Sequence, residues 1–347
     1  MFKKYHQLVV GKHDIQILEL HYFFIPSNFI RIKVHYSAIS VGSESTTLKS
    51  KSILETRKHK NFFAKLGEKF LSRRLYITLK KMIKTKSSFG YSLVGEVVGL
   101  GNGVSSVNIG DFVVATGEFA SHASYVDVPQ GFVFKAPSPD PIYSFSTLGA
   151  IAINGVQTIL PAIRSADNTN FSELSVQVVG GGSIGLFAGM FLQSLGANVT
   201  ILDINHQSVG SQFFFGQVEA NFFDLVIWTA PNIKGLNECA KRIKLSGAIA
   251  FIGEIDRIHE IDILRDRDLM IAFGKSSGLD RANLKVQITT PKTISDERSV
   301  SQNMGMALKL LSFYQEEIIK LMSIVKYDEV SSFNFRDFGK LQAIDWK

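Results

Sequence analysis

The hydrophobic and polar positions of this 347-residue chain follow one pattern in its first part and another beyond it. Over roughly the first 150 residues, short runs alternate apolar with polar side chains between polar or glycine-bearing turns, a pattern typical of β-strands. One stretch, 49–86, instead repeats apolar residues at three- and four-residue steps and predicts an amphipathic helical segment. The sequence therefore predicts a β-rich region with a helical insertion. The predicted strands are 6–10, 14–20, 29–36, 93–98, 109–115 and 123–128.

From Thr147 to about residue 275, helix-like and strand-like stretches alternate. Such alternation implies a parallel sheet with helices on both of its faces. After it, a helical pattern covers 304–321 and a strand-like run covers 323–327. The second part of the chain therefore predicts an α/β domain and a short closing segment. The strands predicted for the parallel sheet are 176–180, 199–203, 224–228 and 248–252.

A glycine turn joins the first of these parallel strands to a helix. The turn reads GGGSIG over 180–185, and a helix-like stretch follows over 186–195. The next strand ends in Asp203, which lies 18 residues past the last glycine of the turn. A GxGxxG alone is a weak signal, but strand, turn, helix and terminal acid together are specific for dinucleotide binding.

Each position of this motif has a physical role. The first glycine permits a tight turn, the second lets the backbone approach a pyrophosphate, and the third allows the helix to pack closely on the strand. The N-terminus of the helix offers N–H groups and a partial positive charge to the phosphates. The acid would accept hydrogen bonds from the adenosine ribose and repel a 2′-phosphate, which favours NAD over NADP. The alternative is a parallel sheet whose glycine turn binds nothing. The residues predicted here to bind the cofactor are Gly180, Gly182, Ser183, Ile184, Gly185 and Asp203.

Composition narrows the class of protein. Hydrophobic residues make up 45% of the chain and charged ones 20%, which is ordinary for a globular protein of this length, and the length suffices for two domains. No long apolar run follows the N-terminus, and no stretch approaches the roughly 18 to 20 apolar residues that span a bilayer, so we expect a cytoplasmic protein without a membrane span. The one cysteine, Cys239, excludes an internal disulfide and a thiolate zinc cluster, and its helix-like surroundings predict a buried, unreactive thiol.

The formal net charge of +7 is concentrated in the segment 49–86, which holds 13 Lys or Arg against Glu55 and Glu68. A solvated helix face is one interpretation of this charge. Attraction of an anionic substrate or of a membrane surface are the others. No nucleic-acid-binding motif accompanies the charge, so we expect no nucleic-acid partner.

Several segments resemble the medium-chain dehydrogenase/reductase family, the zinc-alcohol-dehydrogenase-like superfamily. Residues 90–98 read GYSLVGEVV and, with GDFV over 110–113, are similar to the N-terminal barrel signature of that family. Residues 36–44, YSAISVGSE, resemble the segment that usually carries its first zinc ligand. The resemblance covers essentially the whole chain. Within the family, the GYS triplet, the segment 49–86 and ASHASYV over 120–126 are similar to a zinc-free branch that is often associated with bacterial surface-polysaccharide or sugar metabolism.

This resemblance implies an α/β protein with a GroES-like β-barrel domain and a Rossmann doubly wound parallel sheet. The GroES-like catalytic domain would span 1–148 with its basic insertion at 49–86, the Rossmann NAD-binding domain 149–290, and a C-terminal return to the catalytic domain 291–347. Only about 20 residues separate Asp203 from the next predicted strand, so we expect the Rossmann domain to be shortened between its third and fourth strands. Because relatives commonly form dimers, we also expect a homodimer.

The chain departs from the family at the metal site. The family's catalytic zinc is held by a Cys in the first segment and by a Gly-His-Glu triplet, and these positions are Val41 and the triplet of Gly90, Tyr91 and Ser92 here. An apolar side chain and a phenol do not make a divalent zinc site. We therefore expect an enzyme without zinc or another metal.

The resemblance also implies three catalytic candidates. Ser43 stands at the position whose hydroxyl passes a proton in zinc relatives, Tyr91 stands where a zinc-binding His would be, and His122 aligns with a position that lines the substrate cleft. The Tyr91 hydroxyl could orient or protonate a carbonyl oxygen, or the ring could merely fill the vacated metal site. His122 suits a general acid/base role, or it is a structural histidine of a strand. Glu44 is either part of a relay or a salt-bridge partner in the barrel.

Further cofactor contacts are predicted where strands end, because ligands of open α/β sheets bind at the carboxyl ends of the strands. Thr229 and Gly253 follow two of the predicted parallel strands. Asn154 is similar in position to a polar residue that backs the nicotinamide. The loop 276–281 resembles one that closes the cofactor cleft, and its Arg281 could hold an anionic part of the substrate or lie on the surface.

Together these observations predict an NAD-dependent, zinc-independent oxidoreductase. Its substrate would be a small polar molecule, sugar-derived or anionic, on which it interconverts a secondary alcohol and a ketone. Two alternatives stay open at this point. One is an enone or quinone reductase, a class that usually prefers NADPH, and the other is a catalytically inactive NAD-binding module in a biosynthetic complex.

Overall fold

The computed structural model describes residues 3–10, 15–22, 24–40, 44, 87–163, 170–203, 222–230, 235–236, 239, 241–252, 270–274, 300–330 and 341–347. The predicted basic insertion 49–86, the cleft loop 276–281 and the shortened stretch between Asp203 and the next strand, 204–221, lie outside the described residues.

The N-terminal part of the chain forms antiparallel strands around one apolar core. Strand β3 is central: it pairs with β5 and with β7, β5 pairs with β6, and β6 pairs with β8, while β1 pairs with β2 and β4 in a separate sheet. Alternate residues of β3, such as Ile30, Ile32 and Val34, are buried between the two sheets. The strands are β1 (Lys3–Val10), β2 (Ile15–Tyr22), β3 (Phe29–Ile39), β4 (Ser87–Ser88), β5 (Ser92–Leu100), β6 (Phe112–Thr116), β7 (Tyr125–Pro129) and β8 (Val133–Lys135).

One predicted strand begins later than its sequence pattern suggested. The run from Ile109 was expected to be extended, but β6 starts at Phe112 and Ile109 is 67% exposed. Asn108 donates its backbone N–H to Asp111 Oδ2 at 2.9 Å, and Gly110 has a φ of +90°. This turn reverses the chain before the strand begins, so the apolar side chain of Ile109 points to solvent.

The middle of the chain forms a five-stranded parallel sheet in the order β10-β9-β11-β12-β13. In β11, Leu225 and Ile227 face the larger core with helices α1 and α2, whereas Val226 and Trp228 face a second cluster with Leu236. Both faces of the sheet are therefore covered, as in a doubly wound fold. The elements are α1 (Ser146–Ile163), β9 (Ser175–Val179), α2 (Ser183–Ser194), β10 (Asn198–Leu202), β11 (Phe223–Trp228), β12 (Ile243–Ile252) and β13 (Met270–Gly274).

The end of the chain adds strands to the N-terminal sheet. Helices α3 (Val300–Phe313) and α4 (Gln315–Leu321) replace the single predicted helix, and β14 (Met322–Lys326) follows them. Strand β15 (Leu341–Asp345) pairs with β14 in parallel and with β3 in antiparallel register, so the last residues lie beside the centre of the N-terminal sheet. Within the described part of the chain, no helix has the length and apolar character needed to cross a membrane.

The thiol of Cys239 is buried on the outer face of the parallel sheet. Its Sγ donates a hydrogen bond to Oε1 of Gln177 at 3.1 Å, and burial raises the pKa of the thiol to about 12. Because the thiolate is the reactive species, we expect native protein to resist an aromatic disulfide reagent near neutral pH and unfolded protein to react with one equivalent. Fast reaction of native protein would contradict this assignment.

Candidate functional site

The chain passes from β9 into α2 through a turn that requires glycine. Gly180 has a φ of +98°, and its N–H donates to the carbonyl oxygen of Leu202 on β10 at 2.8 Å. A Cβ added at Gly180 would lie 2.6 Å from Thr229 Oγ1, and one added at Gly185 would lie 1.8 Å from the carbonyl oxygen of Gly180. The turn is therefore packed tightly between the ends of three parallel strands.

Gly182 is the open point of this turn. It is exposed, and a Cβ added there would meet no atom within 4 Å. Its carbonyl oxygen accepts the N–H of Leu186, and α2 begins at the next residue, Ser183, followed by Ile184. The first turn of a helix directs backbone N–H groups outward, so the open space in front of Gly182 fits an anionic group such as a pyrophosphate.

The acid after β10 contacts the turn directly. Oδ2 of Asp203 accepts the backbone N–H of Gly181 at 2.6 Å, which holds the half-buried carboxylate beside the turn. The chain leaves β9 toward β10 on one side and returns to β11 on the other, so this edge is the topological switch point of the sheet. Ligands of open α/β sheets bind at such points, and the residues of the turn fit a dinucleotide.

Thr229 holds the turn from the neighbouring strand. Its Oγ1 lies 2.9 Å from the carbonyl oxygen of Gly180 and 3.1 Å from that of Val179, so its hydroxyl donates into the turn. Its predicted contact with the cofactor remains a prediction. Gly253, the other strand-end residue predicted to bind cofactor, lies outside the described residues.

Asn154 lies on α1 at the contact with α3. Its Oδ1 accepts a hydrogen bond from Nδ2 of Asn303 at 3.2 Å. Asn303 is buried, and its own Oδ1 has no hydrogen-bond partner within the described ranges. The sequence did not indicate Asn303, because one polar residue in an amphipathic helix gives no signal of its own. Contact of Asn154 with a nicotinamide remains a prediction.

The triplet at the family's zinc position links the two parts of the fold. Tyr91 is half-buried against the larger core, and its carbonyl oxygen accepts the N–H of Gly117 at 3.1 Å. Ser92 is buried: it donates to the carbonyl oxygen of Ser144 and accepts the N–H of Thr147 at 3.3 Å, in the first turn of α1. Across the described ranges, no three His, Cys, Asp or Glu side chains form a group that could hold a metal ion.

The structure places His122 in the interior of the N-terminal part of the fold, and its predicted acid/base role remains a prediction. The side chain is fully buried, with Nδ1 2.8 Å from Ser37 Oγ and Nε2 3.2 Å from Glu44 Oε1. The indole Nε1 of Trp346 donates to the same Ser37 oxygen at 2.8 Å. Four side chains, those of Trp346, Ser37, His122 and Glu44, are thus linked by hydrogen bonds in the interior.

This chain joins residues that are far apart in sequence. Ser37 and Trp346 are separated by 309 positions and meet because the strand β15, before Trp346, pairs with β3. Glu44, predicted as a relay member or salt-bridge partner, is buried and contacts His122. Ser43, the residue before it and a predicted catalytic hydroxyl, lies outside the described residues, as does Val41.

Comparison with solved structures finds proteins of the same fold as this chain. No family model and no curated protein matches the sequence. Solved structures do match over nearly the whole length. S. aureus TarJ in complex with NADPH has a TM-score of 0.66 at 14% identity, with 99% of both chains covered. Escherichia coli galactitol-1-phosphate dehydrogenase has a TM-score of 0.68 at 14% identity, covering 98% of this chain and 99% of that one. The quinone oxidoreductase from Coxiella burnetii has a TM-score of 0.60 at 16% identity, with 99% of both chains covered.

The neighbours have a GroES-like domain and a Rossmann domain, and the sheets and helices of this chain are consistent with that fold. At identities of 14 to 16%, the likeness establishes the fold. The chain has the fold of the medium-chain dehydrogenases and reductases, a GroES-like domain joined to a Rossmann domain.

Proposed function

We propose that this protein is an NAD-dependent, zinc-independent oxidoreductase that interconverts a secondary alcohol and a ketone on a polar, sugar-derived substrate. The observation that carries the proposal is the glycine turn at the switch point, with Asp203 bonded to the N–H of Gly181 beside it. A parallel sheet without the glycine turn, or without the acid beside it, would give no indication of a dinucleotide site. Their combination at one edge favours a dinucleotide site.

The residues of this chain would hold the cofactor in distinct ways. The open backbone at Gly182 and the N-terminus of α2 would bind the pyrophosphate, and Asp203 would accept hydrogen bonds from the adenosine ribose. A nicotinamide dinucleotide bound there supplies the hydride donor or acceptor of the reaction. Thr229 would keep the turn in the shape that receives it.

Asp203 supports NAD rather than NADP. Its carboxylate is fixed at the end of β10, where a 2′-phosphate would meet a negative charge. TarJ, one of the structural neighbours, was solved with NADPH, so a neighbour of this fold binds the cofactor that carries the 2′-phosphate. The preference in this chain therefore rests on the local charge of one side chain.

The substrate chemistry is proposed from the triplet at residues 90–92 and from Ser43. Without a metal to polarise the carbonyl, a hydroxyl must give or take the proton of the substrate oxygen. Tyr91, half-buried at the junction of the two parts, and Ser43 are the proposed groups. Galactitol-1-phosphate dehydrogenase as a structural neighbour supports a polyol or sugar phosphate as the substrate class.

A second candidate is an enone or quinone reductase. The likeness to the quinone oxidoreductase from C. burnetii supports it. Asp203 opposes it, because that class usually prefers NADPH. The third interpretation, an inactive NAD-binding module, would retain the cofactor without turnover.

Fluorescence titration with NADH and NADPH, followed by a panel of keto-sugars, tests these proposals. We expect NADH to bind more tightly than NADPH, and Asp203→Asn to weaken NADH binding about tenfold while improving NADPH binding, since the 2′-phosphate no longer faces a charge. Asp224→Asn is the matched control: Asp224 Oδ2 accepts the N–H of Ser175 at 2.9 Å at the opposite end of the sheet, so the variant should keep the preference.

The outcomes separate the candidates. No binding of either cofactor would overturn the proposal. Binding without turnover of any keto-sugar, but with turnover of a quinone, would favour the reductase, and binding without any turnover would favour the inactive module. Light scattering of the same sample tests the expected homodimer.

A further inference from the structure

His122 lies between the two segments that carry the proposed catalytic hydroxyls. On one side its Nε2 contacts Glu44, the residue that follows Ser43 in the chain. On the other side its backbone N–H donates to the carbonyl oxygen of Phe89 at 2.8 Å, and the Phe89 ring meets the imidazole edge-on at 5.0 Å between centroids. Phe89 stands two residues before Tyr91. One buried ring therefore touches both segments.

The contact on the Tyr91 side is close enough to exclude any side chain at Gly90. A Cβ added there would lie 2.8 Å from Cγ and Cδ2 of the His122 ring, and Gly90 has a φ of +94°. The glycine before Tyr91 is thus shaped to the imidazole. Displacing the ring would remove the surface on which this segment rests.

Hydrogen bonding assigns the ring proton. An ionised Glu44 carboxylate can only accept, so Nε2–H of His122 donates to its Oε1. In the neutral imidazole Nδ1 is then an acceptor, and Ser37 Oγ donates to it while accepting the indole N–H of Trp346. The order of donors runs from Trp346 through Ser37 and His122 to the carboxylate.

Glu44 depends on this bond. Its Oε1 accepts both Nε2–H of His122 and the backbone N–H of Ser40, the latter at 3.2 Å, and its backbone N–H donates to the Ser40 carbonyl oxygen at 2.9 Å. Its other oxygen, Oε2, is buried without a hydrogen-bond partner among the residues that the structure describes. Removing one of two hydrogen-bond donors leaves a buried carboxylate with an uncompensated desolvation cost. We expect such a carboxylate to shift toward other donors or water.

We propose that His122 is a positioning residue: through its Nε2–H it fixes Glu44, and through its ring it supports the Gly90–Tyr91 segment, so that it aligns the proposed catalytic hydroxyl of Tyr91. This inference rests on the proposed function for its catalytic consequence. Its structural part, the restraint of Glu44 and of the Ser40 backbone that bonds to it, stands independently of any substrate.

Three substitutions of His122 distinguish the effect of the Nε2–H bond to Glu44 from the effect of the volume of the ring. Glutamine places an amide near the position of Nε2, asparagine places one near Nδ1, and phenylalanine fills the space without either bond. We expect amide hydrogen exchange over residues 40–44 to accelerate in His122→Asn and His122→Phe but to stay close to wild type in His122→Gln. In parallel, kcat should fall about ten- to a hundredfold in the first two and about threefold or less in the third, with cofactor affinity unchanged.

His35→Phe is the matched control. His35, on β3, is also a largely buried histidine, and its Nδ1 has no hydrogen-bond partner in the described structure. Its side chain is not part of the hydrogen-bonded series from Trp346 to Glu44. This variant should leave exchange over 40–44 and kcat as in wild type. If the His122 variants do not fold, Trp346→Phe removes the indole N–H together with part of the fused ring, while a six-membered ring can still stack on Tyr327, whose ring lies 5.4 Å from that of Trp346, and a smaller acceleration over 40–44 is expected.

Unchanged exchange over 40–44 in the asparagine and phenylalanine variants would overturn the proposal, and so would a glutamine variant that behaves like phenylalanine. Exchange that follows the expected order in a protein without turnover on any substrate would retain the restraint by His122 and reject the proposed function. The two failures are therefore distinct.

Discussion

Substitution of Gly185 by alanine is expected to abolish dinucleotide binding and to destabilise the protein by about 3 kcal/mol. The added Cβ would lie 1.8 Å from the carbonyl oxygen of Gly180, a backbone atom that cannot rotate away. Helix α2 would have to move off β9, and the turn at its N-terminus would lose its shape. Thermal unfolding and NADH titration of the same sample measure both effects.

Two other glycines provide the controls. Gly182→Ala places a methyl group in open space, so stability should stay unchanged while dinucleotide binding falls, because the methyl group occupies the proposed pyrophosphate position. Gly305→Ala, in α3 and also facing open space, should affect neither binding nor the fold adversely. Normal binding by Gly185→Ala, or by Gly182→Ala, would remove the glycine turn as the cofactor site.

Substitution of Tyr91 by phenylalanine is expected to lower kcat about a hundredfold and to leave the affinity for NADH unchanged. The ring still fills the same half-buried position against the core, but the hydroxyl that would exchange a proton with the substrate oxygen is gone. Steady-state kinetics on the best keto-sugar, with cofactor titration beside them, separate the two quantities.

Tyr143→Phe is the matched control for this experiment. The Tyr143 hydroxyl lies 2.9 Å from Ser312 Oγ of α3, so the variant loses a structural hydrogen bond worth about 1 kcal/mol and should keep its kcat. Full turnover by Tyr91→Phe would instead mean that the aromatic ring only fills the position that a zinc ligand takes in relatives.

The dinucleotide-type turn could be predicted from the sequence because its parts are local. Strand β9, the glycine turn, α2 and Asp203 lie within one short stretch, and each depends on the periodicity and backbone freedom of neighbouring residues. The structure confirms the four predicted strands of the parallel sheet to within about one residue, except that β12 begins five residues earlier than its predicted start at residue 248, and it adds β13 at 270–274, which was not among the predicted strands. The strand β12 also includes residues 243–247, in which polar side chains alternate with apolar ones, whereas residues 248–252 are all apolar.

The surroundings of His122 could not be predicted in the same way. The residue types of ASHASYV are compatible with a histidine on a cleft wall or inside a barrel, and only the pairing of distant strands decides between them. Ser37 and Trp346 reach the imidazole because β15 lies beside β3, a contact between opposite ends of the chain. No local pattern encodes such a contact.

The sequence by itself determined the order of the two domains' elements, the glycine turn and the acid beside it, because short-range periodicity and turn chemistry act between near neighbours. Tertiary structure alone decided that His122 is buried, that Glu44 is hydrogen-bonded to it, and that Asn154 is hydrogen-bonded to Asn303. The physical reason is that burial and hydrogen-bond partners depend on which distant strands and helices pack together, and that packing is a property of the whole chain.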